Sequence, residues 1–84
     1  SEAEGATRFL DARGMLCPMP VIRTGAEVGR MRPGETLEVR ASDPGVLYDI
    51  PAWCRVHGHT VIDSREDGDE LVVLLRVGSD DGHD

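Results

Sequence analysis

A chain of 84 residues holds one small domain, which excludes a multidomain enzyme and leaves little volume for a deep substrate cavity. Apolar residues supply 39% of it, with one Phe, one Tyr and one Trp, enough for a thin core. The formal charge is −7, and all nine basic residues are arginine; lysine-based Schiff-base and P-loop chemistry is excluded, and independent nucleic-acid binding is disfavoured because it needs cations to neutralise phosphates.

Residues 1–6 read as a polar N-terminal arm, 7–78 as a single domain and 79–84 as an acidic C-terminal tail. Phe9 and Leu10 mark a first strand over Thr7–Asp11, and Arg13-Gly14 a turn. From Cys17 the pattern turns helical, with Val21, Thr24, Val28 and Met31 on one side and Ile22 beside them. Gly25 and Gly29 weaken this helix but allow a close neighbour, and Pro33-Gly34 stops the chain before a second strand, Thr36–Ala41.

Ser42-Asp43-Pro44 is a helix-start signal, with Ser or Asp as cap and Pro at the first helical position. Val46, Leu47, Ile50, Trp53 and Cys54 then form an apolar face. Pro51 predicts a kink or restart near Ile50, and Gly58 suits the C-cap. Thr60–Arg65 and Glu70–Val77 flank Glu66-Asp67-Gly68-Asp69, a hairpin signal. The order strand–helix–strand–helix–strand–strand predicts one sheet with both helices on one face. Phe9, Leu37, Val61, Leu71 and Val73 are its expected core contributions, joined by Val28, Met31, Ile50 and Trp53 from the helices.

The sharpest local feature is Gly14-Met15-Leu16-Cys17-Pro18-Met19-Pro20. With Cys17 as N-cap, Pro18 and Pro20 occupy N1 and N3, ahead of the first residue whose N–H closes a helical bond. A helix N-terminus favours a thiolate by about 0.3–1 kcal/mol, so a modest lowering of the thiol pKa is expected. Met15, Leu16, Met19 and Arg23 form a candidate docking surface beside it. No His, Asp or Ser stands next to it in sequence, which suits sulfur or thiol exchange better than base-assisted catalysis. The alternative is a cysteine packed at a helix start.

Two cysteines, Cys17 and Cys54, are too few for a small secreted disulfide scaffold, and no apolar run reaches the length of a membrane span. A reducing, cytoplasmic setting is the expectation. Cys54, inside an apolar helical pattern, reads first as core and second as a resolving thiol. Cys54, His57 and His59 do not make a convincing zinc set, because the helix ends between the histidines. No metal and no cofactor is expected.

The stretch Leu10–Pro20 closely resembles TusA/SirA-like sulfur-carrier proteins. The similarity continues through Arg32-Pro33-Gly34-Glu35, Ser42-Asp43-Pro44 and Asp49-Ile50-Pro51-Ala52-Trp53-Cys54. The resemblance implies an α/β two-layer sandwich of β-α-β-α-β-β order, with a four-stranded mixed sheet and two helices on one face. It also implies that Cys17, the cysteine of the Cys-Pro-x-Pro motif, accepts sulfane sulfur from a persulfide-donor protein and yields it to a sulfur-acceptor protein. Asp11, Arg13, Gly14, Pro18 and Pro20 match the surrounding pattern as loop support. Pathways of the family include tRNA thiolation, molybdenum-cofactor metabolism and sulfur trafficking. Gly25, Ala26 and Gly29 stand where relatives often carry basic residues, leaving Arg23, Arg30 and Arg32 for docking. The runner-up function is a small cysteine-dependent redox or regulatory interaction module without sulfur transfer.

Overall fold

The computed structural model describes residues 7–78; the polar arm and the acidic tail expected at residues 1–6 and 79–84 lie outside the described residues. Strand β1 (Thr7–Ala12) leads to helix α1 (Met19–Val28) and strand β2 (Thr36–Ala41). Helix α2 (Val46–His57) follows, and strands β3 (Thr60–Asp67) and β4 (Glu70–Arg76) close the domain. The sheet order is β1-β2-β4-β3. β1 and β2 are parallel, which requires a crossover, supplied by α1. β4 is antiparallel to both β2 and β3. The sheet is therefore mixed, and α2 carries the chain past β4 to the far edge.

Side chains alternate between faces along a strand, so the register decides what is buried. Leu10 stands opposite Val39, and Ala12 opposite Ala41. Leu37 faces Leu75, Val39 faces Val73 and Ala41 faces Leu71. These residues share one face and form the core with Val28, Met31, Val46, Ile50 and Cys54. Both helices thus cover the same side of the sheet. Val61, Trp53, Leu47, Val21 and Met15 pack against this cluster while only partly buried.

Phe9 corrects one expectation. It alternates out of phase with Leu10 and Ala12, lies opposite Glu38 on the helix-free face, and is 57% exposed. The run Leu71–Leu75 also resolves by register. Leu71, Val73 and Leu75 point to the helices, whereas Val72 lies between Arg40 and Arg65 on the other face, yet is fully buried. There Arg40 pairs with Glu38, Asp67 and Glu70.

Gly25 is where the helices meet. A Cβ placed on it would lie 3.4 Å from Trp53 Cζ2, so the indole ring packs over this residue with room for a methyl and no more. Thr24, the one buried polar residue among those described, donates its hydroxyl to Pro20 O at 2.8 Å.

Both helix starts differ from expectation. α1 has Pro18 as N-cap, with Met19 and Pro20 as its first two residues, so Cys17 stands one residue outside it. α2 begins after Gly45, leaving Pro44 before the helix rather than at its first position. Ser42 Oγ and Asp43 Oδ2 are taken by the loop before α1, and only Asp43 Oδ1 serves its own turn, at Gly45. α2 also runs as one element through Pro51 to the left-handed Gly58 cap, without restarting.

Candidate functional site

The segment between β1 and α1 is held from several directions. The Arg13 guanidinium donates through Nε to Asp11 Oδ1 at 2.8 Å and through Nη2 to Oδ2 at 2.9 Å, while its backbone N–H also reaches Oδ1 at 3.1 Å. A two-pronged pair of this kind fixes orientation as well as distance. The third Arg13 contact, Nη1 to Glu70 Oε2 at 3.0 Å, ties the loop to the start of β4. The guanidinium holds the Asp11 carboxyl down at about 2, well below its ordinary 3.8. Glu70 is also lowered, by Arg40 and then by Arg13.

Gly14 turns the chain with φ +81°, a left-handed conformation that side-chain-bearing residues rarely adopt. Its N–H donates to Ser42 Oγ at 3.1 Å. Asp43 then divides its carboxylate: Oδ1 accepts the Gly45 N–H at 3.0 Å and Oδ2 accepts the Cys17 N–H at 3.1 Å. Ser42 and Asp43, expected only to start a helix, thus anchor the cysteine loop. The Cys17–Pro18 peptide is cis, and Pro20 is buried.

Cys17 is exposed and unbonded to any other cysteine. Its thiol donates to Asp49 Oδ2 at 3.3 Å. This contact raises the thiol pKa, helped by desolvation and by the negative charges of Asp49 and Asp43. The expected lowering is therefore reversed in direction. Cys17 lies outside the helix rather than capping it, and the Met19 N–H is taken by Leu16 O at 2.9 Å. The helix end offers the sulfur little, and two carboxylates outweigh it.

Asp49 was not visible as a partner because 32 residues separate it from Cys17. The available signal was a carboxylate one position before the core residue Ile50, in the first turn of a helix. Around the thiol, Leu16 is 75% exposed and Met19 41%, and Arg23 is exposed. Met15 instead packs partly against the core, so it supports the loop more than it presents a surface. Arg30 and Arg32 are exposed but follow the C-terminal end of α1, away from the cysteine.

The second cysteine occupies a different environment. Cys54 is buried in the core, and desolvation pushes its thiol up to about 11, which leaves it a weak nucleophile. Trp53 stands with ring centroids 4.8 Å from His57 and 5.1 Å from His59, and His59 Nδ1 accepts the Gly78 N–H at 3.0 Å. These groups line a cleft of about 260 Å³ with Gly25, Gly29 and Met31. At 1.5 Å per residue, its Trp53 and His57 walls lie roughly 6 and 12 Å along α2 from Asp49. Among the described residues, no group of three or more His, Cys, Asp or Glu is placed to hold a metal. No helix among them is long and apolar enough to cross a membrane.

Comparison with known proteins adds a family to this geometry. The profile of the sulfurtransferase TusA family matches residues 8–77. The chain is 37% identical over 71 residues to a Bacillus subtilis protein named "Putative sulfur carrier protein YrkI", covering 84% of this chain and 95% of the relative. It is also 37% identical over 75 residues to "Putative sulfur carrier protein YrkF" of the same organism, covering 89% of this chain but 40% of that longer protein. The crystal structure of a SirA-like protein from Desulfitobacterium hafniense superposes with a TM-score of 0.75 at 18% identity. That match covers 88% of this chain and all of the other, and it shows the shared fold.

Proposed function

This chain belongs to the sulfurtransferase TusA family, and on that premise we propose that Cys17 accepts sulfane sulfur as a persulfide and passes it to a partner protein. The family carries a sulfur-carrier role; the persulfide chemistry is our reading of the site. Cys17 attacks the outer sulfur of a donor persulfide, R–S–SH. A bond forms between Sγ and that outer sulfur, the donor S–S bond breaks, and the donor leaves as R–S⁻. A nucleophile of the acceptor protein then takes the outer sulfur, and Cys17 leaves as the thiolate. Rates of both steps depend on the attacking thiolate and on the acidity of the leaving sulfur.

The observation that carries this reading is the exposed Cys17 thiol on a loop pinned by Arg13, Ser42 and Asp43. Leu16 and Met19 beside it offer apolar surface to the two proteins that must close over the sulfur. The relay belongs in a reducing, cytoplasmic setting, where Cys17 stays a free thiol. No cofactor takes part in either step.

Intact-mass measurement after incubation with a persulfide-charged cysteine desulfurase tests the assignment. Wild type and Cys54→Ser gain the mass of one sulfur, and Cys17→Ser gains none. Loading that persists in Cys17→Ser overturns the assignment. Oxidation-dependent partner binding without sulfur gain would instead identify a redox or regulatory module.

A further inference from the structure

Cys17 is framed by two carboxylates, Asp43 from the loop before α2 and Asp49 from its first turn. Asp43 Oδ2 holds its backbone N–H at 3.1 Å, and Asp49 Oδ2 accepts its thiol proton at 3.3 Å. Asp49 is half-buried, and its Cα is fixed by the first turn of α2. On the cysteine's own segment Met15, Leu16, Pro18 and Met19 carry no charge. Arg13 points elsewhere, to Asp11 and Glu70.

We propose that Asp49 is a positioning residue that holds unloaded Cys17 as a hydrogen-bonded thiol and turns the loaded sulfur outward toward the acceptor. The inference rests on the carrier reading above. In the empty protein the Sγ–H group is the donor, and the carboxylate keeps the proton in place. The raised thiol pKa, caused first by this hydrogen bond, agrees with that restraint. Loading changes the sulfur. In the net exchange Cys17–SH + R–S–SH → Cys17–S–SH + R–SH, a bond forms from Sγ to the outer sulfur and the donor S–S bond breaks. The thiol proton leaves on the donor, and no electrons are gained or lost overall. Sγ is then a bridging atom with no hydrogen to donate. The Sγ–H contact with Asp49 is lost, and the outer sulfur, once it has given its proton to solvent, is repelled by the same carboxylate. An empty site is therefore quiet, and a loaded one presents its cargo.

The test follows Cys17 alkylation by iodoacetamide against pH, located by peptide mapping, in wild type and Asp49→Asn. The wild-type midpoint should lie above that of the same protein unfolded in urea, a comparison that needs no variant. In Asp49→Asn the midpoint should fall and the rate at neutral pH should rise. Each tenfold gain in thiolate is expected to give only about a threefold gain in rate, because nucleophilicity drops as the thiol becomes more acidic. A second arm loads both proteins and times sulfur release to cyanide, with slower release expected from Asp49→Asn. Coincident midpoints in wild type and variant, or a wild-type midpoint at or below the unfolded value, overturn the restraint. Equal release rates overturn the outward turning. Failure of wild type to load at all would strike the carrier reading itself, and the alkylation arm tells the two failures apart.

Discussion

At the residue scale, the site is built from unequal charges placed with opposite effects. Arg13 stabilises the ionised form of Asp11, whereas Asp49 and Asp43 disfavour ionisation of Cys17. The Asp11 effect has a defined pH signature. Its folded pKa of about 2 lies below the ordinary 3.8. The unfolded chain therefore binds the proton more readily, and the contribution is present above pH 3.8 and lost as pH falls through about 2. Denaturant titrations over that window should show declining stability, with a shallower decline in Asp11→Asn. Both partners are exposed, so the difference should be small, as for other solvent-screened pairs. An unchanged slope in the variant would remove the ion pair from the pH response.

At the element scale, the decisive contact is between α1 and α2, through Gly25 and Trp53. Gly25→Ala adds a methyl at ordinary van der Waals distance from the indole and gains helix propensity of roughly 1 kcal/mol, so it should be neutral to stabilising. Gly25→Leu must displace the ring, and a loss of about 1–3 kcal/mol is expected in thermal or denaturant unfolding. Stability of Gly25→Leu equal to wild type would show that the helices tolerate separation there. This glycine was legible in the sequence as a site of close approach, as were all six elements and the left-handed Gly58 cap, because periodicity and turn residues are local signals. Phe9 lies outside the core, contrary to expectation, because a single apolar pair, Phe9-Leu10, does not say which member faces inward; only pairing with β2 decides it. The helix starts slipped for a related reason. Ser42 and Asp43 were free to cap their own helix in sequence, but a loop nearly 30 residues earlier competes for their oxygens.

At the scale of the whole molecule, the parallel β1–β2 pair and its crossover bring the C-terminal end of β1 beside the start of α2. That topology puts Cys17 and Asp49 in contact, and it explains why the cysteine was legible but its partner was not. Cys-Pro-x-Pro identifies the sulfur within four residues, whereas the carboxylate arrives through tertiary structure. It also separates the two thiols, one open on the loop and one sealed in the core. The net charge of −7 disfavours contact with phosphates, which need cations to neutralise them. A carrier of this kind must both receive and give up its cargo. The most direct measurement isolates carrier charged with radiolabelled sulfur at Cys17, removes the donor, and adds a sulfur-acceptor protein. Label should move from Cys17 to the acceptor until the carrier returns to its unloaded mass. Label that stays on the carrier with every acceptor offered, or that is found on Cys54, would contradict a relay through Cys17.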